Sequence, residues 1–220
     1  MNKKLMLLDL ICYAAIPFLI WNYAREPLGD YLAILLSTVP GFIYTIYRFI
    51  VEKQFNIAGI FIIGSLLITT MVNLLSSSAE SMLWNQVYLG YGFAGIHLLS
   101  ILILKPLALY FAVDWAYLLG HAREDSKALF STKGLFSGFQ LLTGLFVFRG
   151  VFQNSLKAWL LQVYGADGYG QMIIYMNISG WIFSALIFAG FVWISVKINK
   201  EVMSWEAASS LPEDGAEKQA

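Results

Sequence analysis

Charge is scarce in this sequence. Only 13% of its 220 residues are Asp, Glu, Lys or Arg, against about 25% in a typical soluble domain. Fourteen basic residues are balanced by fourteen acidic ones, which excludes a nucleic-acid binder, since that class needs a basic excess. Cysteine is nearly absent. The single Cys12 lies in an apolar stretch; it rules out an internal disulfide framework and a cysteine-built metal cluster, and reads as a packing residue. Signatures of catalysis are missing as well. There is no G-x-x-x-x-G-K-[ST], H-E-x-x-H or G-x-S-x-G, and no His, Cys and carboxylate set with metal-ligand spacing. The expectation is a protein without catalytic residues, metal or cofactor. A G-x-G-x-x-G match at Gly90, Gly92 and Gly95 has no strand before it, so it reads as a close-packing helix face.

What the sequence has in abundance is long apolar runs. Hydrophobic residues make up 59% of the chain and aromatics 16%, the latter as expected where rings line membrane interfaces. A membrane-spanning helix needs about 20 mostly apolar residues. Six stretches qualify: 5–24, 30–50, 56–75, 86–104, 134–160 and 171–196. They predict an all-α, polytopic membrane helix bundle forming one domain over residues 1–200. Lys3 and Lys4 precede the first run as in a signal peptide, but Asp9 interrupts it and no small-residue cleavage site follows cleanly. We read it as a retained span.

Cytoplasmic loops carry the excess of Lys and Arg. With the N-terminus inside, eleven basic residues fall in inner segments, Arg25 alone in an outer one, and Arg149 and Lys157 within the fifth span. This asymmetry places both termini on the cytoplasmic side. Residues 86–120 would make a helix of about 50 Å, too long for a bilayer core of about 30 Å. Pro106 is the expected break, with 106–119 a short interfacial helix; the rival is one long tilted helix with Lys105 reaching the head groups. "HAREDSKALFSTKG" (121–134) reads as an exposed polar connector, and the acidic tail 206–220 as disordered.

Polar residues within spans should face protein or a wet cavity. Helical spacing aligns Asp30, Ser37, Gly41, Tyr44 and Arg48 on the second span, and Ser65, Thr69, Asn73 and Ser76 on the third. It aligns Gly90, Ala94 and His97 on the fourth, Gly138, Leu142, Arg149, Gln153 and loosely Lys157 on the fifth, and Asn177, Gly180, Ser184 and Ser195 on the sixth. Two readings follow: tight packing of small residues, or a polar cavity that takes a ligand. In the second, Arg149, Gln153, Asn177, Asn73 and His97 are the candidate ligand-binding residues. Arg149, in "FVFRGVF", is costly in hydrocarbon and needs a counterpart. Asp30 is the first candidate and Glu80 the second, making Arg149 a staple between helices. Its alternatives are an anionic ligand held by the guanidinium fork, or snorkelling to the surface. Asp9 and Arg48, near the inner ends of adjacent antiparallel spans, predict a structural ion pair. His97 reads as a hydrogen-bonded packing residue, with proton transfer as the weaker alternative. Pro17 and Pro40 lie within spans, and Pro40-Gly41 predicts a kink with a freed carbonyl.

"PGFIYTIYR" (40–48), "KPLALYFA" (105–112) and "LFSGFQLLTGLFVFRG" (135–150), with Asp9 and Pro17, resemble a group of uncharacterised bacterial multi-pass inner-membrane proteins distantly similar to intracellular septation protein A. The resemblance covers most of residues 5–198 through short motifs, chiefly P-x3-Y-x3-R and Lys-Pro-Leu. It implies a bacterial cytoplasmic-membrane protein linked to envelope upkeep and assigns no site residue. The functional expectation is a non-catalytic envelope protein whose partners are membrane lipid, other membrane proteins or a second copy. The alternative is a small carrier or channel with an outward-facing polar pocket around Arg149 for an anionic solute.

Overall fold

A computed structural model describes residues 8–51 and 56–209 of the chain. Among these residues the structure is helical throughout, with no strand. The first apolar stretch, Leu8–Val51, is broken at Gly29, whose φ of 77° and ψ of 165° are non-helical. We call its two arms α1 (8–28) and α2 (30–51). They fold back on each other: Tyr13 OH lies 2.7 Å from Thr45 Oγ1, and Asp9 Oδ1 is 3.4 Å from Arg48 Nη1. Each of these pairs is centred on residue 28 or 29, so the arms form an antiparallel hairpin with Gly29 at its tip. The remaining elements are α3 (Ile57–Leu75), α4 (Ala79–Leu102), α5 (Leu107–Leu118), α6 (Arg123–Phe130), α7 (Lys133–Tyr164), a 3-10 turn (Ala166–Gly168) and α8 (Tyr169–Ser209).

Several of these helices are long and apolar enough to cross a membrane. The clearest sign of the surrounding phase is α3. Its buried residues are Gly59 and Asn73, while Ile60, Leu67, Met71 and Leu74 point outward. An amide faces in and aliphatic chains face out, the reverse of a helix on a water-soluble core. Large apolar side chains cover the outer faces of the other long helices too, Leu141, Phe148 and Phe188 among them. A water-soluble monomer would not expose so continuous a surface; the pattern is that of a multi-pass membrane protein.

The centre of the bundle is the α4–α7 pair. Its contacts are Gln86 with Lys157, Tyr91 with Ser155, and His97 with Phe146, all centred near residue 122, so the two helices run antiparallel. Small residues let them close up: a Cβ added at Gly150 would meet the Ala94 Cβ at 2.8 Å, and one at Gly90 would strike the Asn154 side chain. Of the G-x-G-x-x-G glycines only Gly90 makes such an approach; Gly92 and Gly95 have open space.

The chain bends by 87° between α4 and α5, so a single long tilted helix is ruled out. Leu104 takes a left-handed φ of 57° and Lys105 N donates to Ser100 O at 2.8 Å, a Schellman-type stop in which the following Pro106 prevents continuation. The first amides of α5 are then capped from neighbouring helices. Leu107 N donates to Ser100 Oγ at 3.3 Å and Ala108 N to Thr143 Oγ1 at 3.2 Å, both acceptors buried. The expected helix after Pro106 is present, and α4 begins seven residues before its expected start.

Three other expectations are corrected. The connector 121–134 contains α6, whose first turn carries Glu124 and Asp125 against the helix dipole and whose Phe130 is buried. The residues 206–209 of the expected disordered tail are part of α8, while 210–220, like the start of the first span at 5–7, lie outside the described residues. Pro40 keeps helical φ/ψ, so the helix is not broken there, although the Leu36 carbonyl four residues back loses its helical donor; a second carbonyl is freed at Pro17. Proline there removes the hydrogen bond to the residue four back, Tyr13. The backbone passes through a π-helical turn at Ile11–Ala15, and Asn177 Nδ2 donates to the Tyr13 carbonyl at 3.2 Å.

Backbone strain gives a paired expectation. Gly29→Ala should destabilise by about 1–3 kcal/mol, because its backbone region is nearly glycine-only. Leu104→Gly should stabilise by about 1 kcal/mol, because it removes a left-handed Cβ clash. Thermal unfolding of both variants in one detergent checks the opposite signs.

Candidate functional site

The polar residues picked out by spacing do not converge on one pocket. Near the α1–α2 tip they form a chain across three helices: Lys157 Nζ of α7 donates to Gln86 Oε1 of α4, and Gln86 Nε2 donates to Asn73 Oδ1 of α3 at 2.7 Å. Tyr31 OH of α2 donates to the Asn73 carbonyl at 3.0 Å. The ammonium is thus held by an amide and by no carboxylate among the described residues. A loose place on the fifth-span stripe was the only sequence signal for Lys157, and Gln86, at the start of the fourth apolar run, carried none.

The expected pairing of Arg149 with Asp30 or Glu80 is corrected. Asp30 Oδ1 accepts from Arg25 Nε at 2.7 Å, and Arg25 also binds Asp167 of the 3-10 turn. Arg25 therefore takes both acids, since the Gly29 break brings Asp30 back toward the helix that carries it. Glu80 lies exposed in the first turn of α4, where the helix dipole favours it without a cationic partner. Arg149 makes no ion pair or side-chain hydrogen bond among the described residues. Gln153, one turn along, faces Gly180 of α8, whose added Cβ would meet Gln153 Nε2 at 3.4 Å. Asn177 faces α1 through the Tyr13 carbonyl. His97 stacks on Phe146 at 5.4 Å and donates from Nδ1 to the Phe93 carbonyl at 2.9 Å; the bond fixes its tautomer and fills its role in packing. Asp9 and Arg48 stand as a half-exposed pair at 3.4 Å. On α8, Ser184 and Ser195 point outward, and Ser195 Oγ is satisfied by the Phe191 carbonyl of its own helix.

A large cavity lies at the opposite end of the bundle. A groove of about 1010 Å³ runs between α5, α6 and α8 over the base of α7. Phe111, Trp115, Phe130, Phe139 and Phe191 line it, and none of the candidate ligand residues named from the sequence does. Its mouth is apolar and open: Trp115, Leu119, Phe188 and Met203 are each 65–69% exposed. Asp114 fixes one wall. This residue is 1% exposed, accepts from Ala58 N at the start of α3 at 3.2 Å, and lies 3.4 Å from Arg123 Nη2. It thereby ties α5 and α6 to α3. In the sequence Asp114 stands alone among the apolar residues of "YFAVDWAYLL" (110–119), with nothing near it along the chain to mark its role.

Among the described residues no cluster of three or more His, Cys, Asp or Glu side chains is placed to hold a metal ion. No protein family, curated protein or solved structure matches the chain.

The Lys157–Gln86 contact predicts an asymmetry. Gln86→Leu strands a half-buried ammonium within the span and should cost about 1.5–3 kcal/mol, the range for hydrogen bonds to charged groups. Lys157→Met removes the charge itself and should cost less or stabilise. Equal losses in chemical denaturation of the two variants would contradict this account.

Proposed function

We propose that the chain is a non-catalytic multi-pass protein of a bacterial cytoplasmic membrane that holds a lipid or another apolar membrane partner in the α5–α6–α8 groove. The observation that carries this reading is the groove itself: its volume matches the top of the range for ligand sites, about 300–1,000 Å³, its walls are aromatic and aliphatic, and its mouth is apolar. An apolar occupant already dissolved in the hydrocarbon phase reaches such a mouth laterally, without being exposed to water on the way. The orientation is supported by charge. The hairpin tip, the α3–α4 link and the 3-10 turn hold one basic residue, Arg25, whereas Arg123, Lys127, Lys133, Lys197 and Lys200 belong to the groove end, which supports a cytoplasmic position for the groove. The link to envelope upkeep rests on the resemblance of the short motifs alone.

The test is photo-labelling with a fatty-acyl diazirine in native membranes, followed by peptide mapping. Labels are expected to concentrate in 111–130 and 188–203. Labelling spread evenly over all outward-facing helices would overturn the reading.

A second reading, a carrier for an anionic solute, is favoured by one observation: Arg149 and Lys157 lie on one helix with no carboxylate partner among the described residues. Under it, Arg149→Leu abolishes solute uptake in cells at unchanged protein abundance. Under the groove reading, uptake of anions is the same with and without the protein, whichever residue stands at 149.

A further inference from the structure

The groove has a direction. Along α8 it runs from Phe188 to Met203, about 22 Å at 1.5 Å per residue, against about 15 Å for half of a bilayer core. Its Phe188 end is aromatic, with Phe111 and Phe191 nearby in the lining, and Phe111 packs back onto Phe146 and Phe61. The polar side chains of the lining are His121, Asp125 and Ser126 from the α5–α6 side, and Ser195 and Asn199 from α8. The groove is therefore long and mostly apolar, with a few polar side chains contributed by α6, the link before it and α8. One charged side chain lines it, the carboxylate of Asp125, which is exposed and makes no ion pair among the described residues. The positively charged residues of this end are not in the lining. Lys197 lies over the Trp193 ring at 4.1 Å, Lys127 over the Tyr110 ring at 5.9 Å, and Arg123 over the Tyr117 ring at 4.4 Å.

We propose that the groove binds a phospholipid with a primary ammonium head group, its acyl chain lying along α8 toward Phe188 and its ammonium on the Asp125 carboxylate. This rests on the reading of the groove as an apolar binding site and adds the chemistry of the head. The open apolar mouth admits an occupant from the bilayer. The length fits one lipid of one leaflet, and the polar side chains of the lining offer partners to its head. An unpaired carboxylate in the lining selects a cation, and a primary ammonium satisfies it with a charge-assisted hydrogen bond that a quaternary head group lacks. The chain's own tail does not suit the site: residues 206–220 hold one large apolar side chain, Leu211, and four acids.

The test uses the full-length protein in nanodiscs of equal parts phosphatidylethanolamine, phosphatidylcholine and phosphatidylglycerol, released into native mass spectrometry so that retained lipid is weighed. The expected result is one retained phosphatidylethanolamine per chain. Asp125→Asn, an exposed change, should cut its preference over phosphatidylcholine by about tenfold, the loss of one charge-assisted contact. Ser195→Trp, which fills the groove from an exposed position on α8, should abolish retention of any lipid. Preferential retention of phosphatidylglycerol, or a preference unchanged by Asp125→Asn, overturns the head-group assignment while leaving the groove reading intact. Retention unaffected by Ser195→Trp overturns both. A dimer that forms without lipid and is broken by Ser195→Trp makes a second copy the occupant, and also overturns the lipid.

Discussion

The close approach of α4 and α7 is the contact on which the rest of the bundle is built. In hydrocarbon there is no hydrophobic gain from putting helices together, so association rests on packing and hydrogen bonds. Gly150 lets Ala94 in, and Gly90 makes room for Asn154. Once these backbones are near each other, the polar side chains they carry become brackets for further helices. Gln86 reaches α3 through Asn73; Ser100 and Thr143 cap the first amides of α5; and a Cβ at Gly190 of α8 would meet Leu142 of α7 at 2.7 Å. The 87° bend before α5, and hence the groove beneath it, depends on two hydroxyls placed by this pair.

The ionic groups divide by how they are compensated. Arg25 is shared by Asp30 and Asp167 and so joins the hairpin tip to the α7–α8 link. Asp114, the most deeply buried carboxylate, is balanced by Arg123 and by an amide at the start of α3. These are fastenings. Arg149, Lys157 and Asp125 have no opposite charge beside them among the described residues, and each is where a reading of function starts. For Arg149 and Lys157, set within a span, a charge without an opposite partner is expensive; Asp125 is exposed, and its interest lies in its place in the groove lining.

Much of the architecture was legible because run length and periodicity are properties of the chain alone. The apolar stretches, the stop at Pro106 and the Asp9–Arg48 juxtaposition all follow from them. The inward polar stripes were readable on α2, where Ser37, Gly41 and Tyr44 are buried. On α8 Asn177 and Gly180 face α1 and α7 as the spacing implies, while Ser184 and Ser195 point outward; Ser195 bonds to its own helix's carbonyl and does not need a protein-facing side. Partner choice was harder to read. Nothing in the order of residues says that Asp30 turns to Arg25 rather than Arg149, since that is settled by the backbone at Gly29. The groove was invisible for a related reason. It is assembled from α5, α6 and the far end of α8, and α6 had been read as a connector. Asp114 and Asp125 gain their meaning only from neighbours that are distant along the chain.

The π-helical turn at Ile11–Ala15 also bears on how α1 meets two neighbours. An extra residue within a helix rotates everything beyond it by about 100°. Before the turn, Asp9 meets α2; beyond it, Phe18 and Trp21 lie against Gly170 of α8. One segment thus serves two walls by changing phase partway along. A deletion of one residue in 11–15 would act as a frameshift of surfaces: the sequence would stay apolar and helical, yet Trp21 would be aimed away from its seat on α8.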